Sequence, residues 1–136
     1  MQAQAASAGS LKITVVEAQL TRDTETFGKM DPYVKIECRM SKFKTTTCNN
    51  GGKTPKWQNQ TFTLDVKYIG DDVALSVWDE DVGNDDAIGS TLIKISAMVG
   101  GGTGIDDWFP IQYKGKQSGT VHLKCVYTDY AKQAAK

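Results

Sequence analysis

Val73-Ala-Leu-Ser-Val-Trp78-Asp79-Glu-Asp-Val-Gly-Asn-Asp-Asp86-Ala-Ile-Gly89 sets an alternating apolar run directly against a glycine-containing turn crowded with carboxylates. Val73, Leu75 and Val77 share one side of an extended chain, the period of a strand buried on one face. Asp79, Glu80, Asp81, Asp85 and Asp86 then fall within eight residues. Carboxylates held a few ångströms apart repel one another and raise each other's pKa, so the compact loop needs a compensating cation. Oxygen-only ligands on a flexible loop point to calcium, Ca2+.

The same period of two recurs along the chain. Leu11, Ile13 and Val15 share a face in Leu11–Val16; Val34, Ile36 and Cys38 do so in Val34–Cys38. Further runs cover Lys42–Thr47, Gln58–Val66, Val73–Trp78, Ser90–Ile95, Trp108–Tyr113 and Gly119–Tyr127. Turn residues separate them, among them Gly51-Gly52 with Pro55, Gly70-Asp71, Gly100-Gly-Gly-Thr-Gly104 and Lys114-Gly115. Eight one-faced strands with short turns predict an all-β, eight-stranded antiparallel sandwich. No long helix or internal repeat is expected, and the glycine-rich segment 100–104 reads as a flexible connection.

A second acidic segment, Asp23-Thr-Glu25-Thr-Phe27-Gly-Lys-Met30-Asp31-Pro-Tyr33, also lies between two strand-like runs. Segments 23–31 and 79–86 together hold eight of the chain's 16 acidic residues, so the rest of the chain is net basic. Ordinary polar turns account for single aspartates but not for two such clusters. An EF-hand beginning at Asp79 is excluded, because its sixth position is Asn84 rather than glycine and its twelfth is Ser90 rather than glutamate.

With 136 residues and 40% hydrophobic content the chain suits one domain. The expected boundaries are a disordered lead-in over 1–10, a domain over 11–130 and a short tail over 131–136. The start lacks the basic and apolar regions of a signal peptide, and Gln2 excludes a myristoylation site. Cys38, Cys48 and Cys125 are odd in number and lack zinc-site spacing, which fits a reduced, cytoplasmic protein. Net charge near zero argues against a general nucleic-acid binder. A non-enzymatic role is expected: there is no Gly-x-Ser-x-Gly elbow or phosphate loop, and the one histidine, His122, falls on the polar, solvent-facing side of its strand.

Three segments carry a family resemblance: Gly28-Lys-Met-Asp31-Pro-Tyr-Val34, Pro55-Lys-Trp57-Gln-Asn59-Gln-Thr-Phe62, and Val77-Trp-Asp79-Glu-Asp81 through Asp86-Ala-Ile-Gly89. Over about residues 11–127 the chain resembles a C2 domain, and in particular the small single-domain plant-type C2 proteins. The resemblance implies a C2 sandwich with loops at one end holding calcium, and the order of first and last strands suggests the type II topology. Asp31, Asp79, Asp81 and Asp86 match family ligand positions, with Asp85 a neighbour and substitute for Asp86. Glu25 stands where the family usually has aspartate, and Asp23 is the alternative donor there.

The implied function is calcium-dependent peripheral binding to anionic phospholipid membranes, phosphatidylserine above all, by a cytoplasmic protein recruited to the surface. Phe27, Met30 and Val82 are the expected apolar contacts at the loop tips. Strand parity also turns Tyr33, Lys35, Lys42, Lys44 and Trp78 outward, a set resembling the phosphoinositide-binding face of some C2 domains, although ordinary solvated lysines give the same pattern. A calcium-independent protein–protein adaptor, with a protein partner on the sandwich faces, is the alternative. Nucleic-acid carriage on the lysine face is a third reading, testable by its steep salt dependence.

Overall fold

The structure is a computed structural model that describes residues 8–131. It contains eight strands in chain order: β1 (Gly9–Leu20), β2 (Pro32–Cys38), β3 (Ser41–Lys44), β4 (Thr61–Val66), β5 (Asp72–Asp79), β6 (Asp86–Lys94), β7 (Gly104–Tyr113) and β8 (Lys116–Asp129). All named strand pairs are antiparallel, in the order β3-β2-β5-β6-β7-β8-β1-β4. β6 and β7 meet at one residue pair, Ser90 with Gln112, so two four-stranded halves face each other across a common core.

The sequence dictates which side of each strand is buried. Val73, Leu75 and Val77 of β5 face Leu11, Ile13 and Val15 of β1, Val34 and Ile36 of β2, and Val121, Leu123 and Cys125 of β8 in one cluster. Burying such side chains contributes about 1.5–3 kcal/mol each, which is what holds the two halves together. Burial also pushes the Cys125 thiol up to about 12, so it serves as a core hydrophobe.

β1 continues four residues beyond the expected Val16 because it bulges there: Val15 pairs with Leu123, yet Glu17 pairs with His122. The inserted residue switches inward parity from Leu11, Ile13 and Val15 to Ala18 and Leu20. β1 also begins earlier than expected: Gly9 pairs with Val66 and Asp129, so Gly9 and Ser10 belong to the sheet, not to the lead-in. The remainder of the expected lead-in, residues 1–7, and residues 132–136 of the expected tail lie outside the described residues.

A short helix, α1 (Ile95–Val99), joins β6 to β7 and buries Ile95 and Met98, one helical turn apart. The connection that follows is not the loose segment its glycines suggest. A Cβ at Gly104, where φ is 128°, would lie 1.9 Å from the Cys125 carbonyl oxygen, so glycine is there to let β7 approach β8.

Candidate metal centre

Three connections gather at one end of the sandwich: loop 1 between β1 and β2 (residues 21–31), the connection from β3 to β4 (45–60), and loop 3 between β5 and β6 (80–85). Backbone hydrogen bonds knit them together. Glu80 N donates to Asp31 O at 2.9 Å, Cys48 N to Pro32 O at 2.8 Å and Gly52 N to Met30 O at 3.0 Å.

Asp79 is the pivot. It continues the inward parity of Val73, Leu75 and Val77, so its carboxylate is carried into the interior, where it is fully buried. A buried carboxylate is tolerable only when hydrogen-bonded. Its Oδ1 accepts Asp31 N and its Oδ2 accepts Thr24 Oγ1, both at 2.7 Å, which ties both ends of loop 1 to β5. Asp31 Oδ1 in turn accepts Asn50 N at 2.7 Å. Thr24 and Asn50 carry none of the charge signals that mark the acids in the sequence.

Glu25, Asp81 and Asp86 each offer a carboxylate oxygen such that the three lie within 4.8 Å of one another. A hydrogen bond with Asp79 and the negative charges of Asp79, Asp81 and Asp31 raise the Glu25 carboxyl to about 7. Such a raised carboxyl is what uncompensated negative charge nearby produces, and an all-oxygen set of this kind suits a hard divalent cation. Asp23 is used differently: its Oδ1 caps the loop by accepting Glu25 N at 3.0 Å. Asp86 is fixed by the residues after it. Ile88 is fully buried, and a Cβ on Gly89 would sit 2.1 Å from Ser118 Oγ, so glycine allows β6 to seat against β8.

Asp85 lies outside the three-carboxylate group. Its Oδ1 accepts Asp81 N at 3.0 Å and its Oδ2 accepts the Tyr33 hydroxyl, which holds the carboxyl below its ordinary range. The same bond, after burial, pushes the Tyr33 hydroxyl far up. Tyr33 is only 2% exposed, which corrects the expectation that it reaches headgroups. It faces Trp78 across the sheet as its parity required, but Lys44 Nζ lies 4.4 Å from its ring centroid. Lys35 Nζ sits 4.8 Å from the Trp78 ring centroid, and Lys42 pairs with Glu37 across β2 and β3, so the face is basic but not uniformly so.

The tip residues divide. Phe27 is 88% exposed and Val82 101%, each followed by a glycine of positive φ that reverses the chain behind it, Gly28 at 80° and Gly83 at 98°. Met30 is fully buried, with Thr24 N donating to its Sδ at 3.4 Å, and this corrects its assignment as a membrane contact. Inward parity of β2, read backward through Ile36, Val34 and Pro32, reaches Met30 and was the signal for it.

His122 is likewise not solvent-facing. It lies between Glu17 Oε2 at 2.9 Å and Asp106 Oδ1 at 2.5 Å and stacks on Trp108 at 4.9 Å between centroids. The Asp106 bond, with help from Glu17, raises its pKa against the opposing effect of burial. The β1 bulge is what brings Glu17 opposite it.

The structure thus defines an eight-stranded antiparallel β-sandwich with carboxylates converging on the loops at one end. The chain belongs to the C2 domain family, whose family model matches residues 9–111. It is 33% identical over 91 residues to the 16 kDa phloem protein 2 of Arabidopsis thaliana, covering 66% of this chain and 61% of that protein. The match to a calcium-dependent lipid-binding protein of Arabidopsis thaliana is 31% over 138 aligned positions, 92% of this chain and 26% of that one. The calcium-bound tandem C2 domains of Extended-Synaptotagmin 2 superpose with a TM-score of 0.78 at 27% identity, covering 90% of this chain and 46% of that one. The first relatives are thus matched over about three fifths of their own length. Among the described residues no helix is long and apolar enough to cross a membrane.

Proposed function

We propose that this domain binds anionic phospholipid membranes peripherally and in a calcium-dependent way, at the end that carries loops 1 and 3. The observation that carries the reading is the group of Glu25, Asp81 and Asp86, three carboxylates converging within 4.8 Å. These three would hold the ion, with Asp79 and Asp31 beside them. Bound calcium supplies positive charge and open coordination positions for phosphate oxygens.

Without a cation the acidic rim repels an anionic surface, which keeps the domain in solution in its cytoplasmic compartment. Once that repulsion is relieved, Phe27 and Val82 enter the headgroup region from either side of the site. Lys35, Lys42 and Lys44, with Trp78, add a face for phosphoinositide headgroups. The calcium-bound structure of a relative and the name of the lipid-binding one support the same direction.

The test is sedimentation with phosphatidylserine/phosphatidylcholine vesicles as free calcium rises from chelator to millimolar, at near-physiological salt. Binding is expected only with calcium and only for the wild type, not for Asp81→Asn. Binding unchanged by chelator, or undiminished in the variant, refutes the proposal. No binding under any condition turns attention to the adaptor reading.

A further inference from the structure

Beside the acidic loops, but on the half formed by β7, β8, β1 and β4, lies a cleft of about 260 Å³ lined by Thr21, Arg22, Tyr113, Lys116, Gln117 and Ser118. It is distinct from the lysine face of β2 and β3. Arg22 is held on two sides: its guanidinium carbon sits 3.7 Å from the Tyr113 ring centroid, and its Nε donates to Ala87 O at 3.2 Å. Among the described residues nothing else bonds its Nη donors. Thr21 N and Arg22 N both donate to Ser118 O, at 2.9 and 3.3 Å, which fixes the backbone beneath it.

The β7–β8 hairpin brings in two more cations. Tyr113 pairs with Lys116 across a two-residue turn, Lys114-Gly115, with φ of 51° and 82°. Such a turn favours asparagine or glycine at its first position, so lysine occupies a conformation it adopts rarely. Lys114 Nζ lies 5.3 Å from the Tyr113 ring centroid that Arg22 also contacts. None of the ion pairs among the described residues engages Arg22, Lys114 or Lys116. Two cations, Arg22 and Lys116, thus line the cleft, and Lys114 stands at its edge beside Tyr113, none of the three in an ion pair among the described residues.

A guanidinium fixed by stacking keeps a planar fork that matches the oxygens of a phosphate, and two flexible ammonium groups suit the remaining charge. Three cations exceed what one carboxylate neutralises and match a dianionic phosphomonoester. We propose that Arg22, Lys114 and Lys116 form a phosphate-binding subsite, carried on a lipid headgroup or on a soluble phosphate ester. Its position against Ala87, next to Asp86, places it on the rim that meets a bilayer under the function proposed above. Only the lipid source rests on that reading.

The first arm omits calcium. Amide shifts are followed by 15N–1H NMR in chelator while glycerol 3-phosphate is added at constant ionic strength. Saturable shifts are expected at Thr21, Arg22 and 114–118, and they should be lost in Lys114→Ala/Lys116→Ala and weakened in Arg22→Lys. No shift there, or equal shifts in the double variant, overturns the proposal.

The second arm uses saturating calcium and vesicles of phosphatidylcholine with either phosphatidylserine or phosphatidic acid. If the source is a lipid, the double variant binds phosphatidic acid vesicles more weakly by roughly fivefold per lysine removed. An unchanged vesicle affinity alongside lost NMR shifts supports the subsite with a soluble ester as its ligand. Failure of the calcium reading shows separately, as wild-type protein that ignores calcium on phosphatidylserine vesicles while the first arm is unaffected.

Discussion

Replacing Asp79 separates its structural task from its charge. Asp79→Ala leaves two part-buried donors, Asp31 N and Thr24 Oγ1, without the acceptor that the fully buried Asp79 supplies. An orphaned buried donor costs about 1–3 kcal/mol, so the alanine variant should lose about 4 kcal/mol in all. Asp79→Asn keeps its one oxygen for Asp31 N, while its amide donates to the Thr24 hydroxyl, which accepts as readily as it donates. What is lost there is charge assistance, about 1 kcal/mol per bond and about 2 kcal/mol together.

Urea unfolding in chelator measures both, and the alanine variant should fall about 2 kcal/mol below the asparagine one with an unchanged m-value. The wild type should gain about 2.7 kcal/mol at a calcium concentration 100 times its Kd, and both variants should lose that gain. Glu25 offers a local check, because the Asp79 bond is the largest cause of its raised carboxyl. In either variant its carboxyl 13C titration should fall back toward the ordinary glutamate range. Equal stabilities for the two variants would refute the claim that Asp79 acts as the acceptor that ties down loop 1.

The other consequences are separable. Met30→Ala should cost about 2–5 kcal/mol on unfolding, as large-to-small changes in a core do, whereas Phe27→Ala should leave the urea midpoint unchanged and weaken calcium-dependent vesicle binding. Gly104→Ala should destabilise by about 3 kcal/mol or more in thermal unfolding, because its Cβ meets the Cys125 carbonyl and its φ is unfavourable for an L side chain. His122 has its pKa raised in the folded state, so its contribution is fully present below pH about 6.5 and is lost as pH rises through the folded pKa. Urea midpoints measured from pH 6 to 9 should therefore fall more steeply for wild type than for His122→Gln, and an equal slope would contradict the Glu17 and Asp106 pairing.

Period-two alternation made the strands legible because each buries one face. It fell short where the backbone departs from regular pairing. The bulge at Val16 shifts parity midway through β1, so neither the continuation to Leu20 nor the meeting of Glu17 with His122 follows from simple alternation. At the site, the acids could be read from their crowding, and the exposed Phe27 and Val82 from their place in the loops. Loop composition makes Met30 read as a tip residue because composition says nothing about direction, whereas the parity of β2 turns it inward. The bond from Tyr33 to Asp85 depends on how loop 3 folds over β2, which no local pattern encodes. Thr24 and Asn50 were invisible for a related reason: what they contribute is one hydroxyl and one backbone N–H.

The carboxylates at the loop end do not share one role, and that division explains how so much like charge is held in a small volume. Asp79 and Asp31 accept backbone N–H groups that brace loop 1, and Asp85 accepts both Asp81 N and the Tyr33 hydroxyl. Each of these three carboxylates is thereby hydrogen-bonded by the protein itself, and for Asp85 the Tyr33 hydroxyl, followed by Asp81 N, holds the carboxyl below its ordinary range. Glu25 has no such donor and retains its proton to about 7 against its neighbours. Met30 and Ile88, both fully buried, anchor the segments bearing Asp31 and Asp86, so the repulsion cannot relax by opening the loops. A frame of satisfied acids and core anchors thus confines a smaller group, Glu25, Asp81 and Asp86, whose charge only a proton or a cation can offset. That confinement makes the loop end a switch under the proposed function: a pliable loop would spread its carboxylates apart, and carboxylates wholly occupied by protein donors would leave fewer oxygens free to ligate an ion.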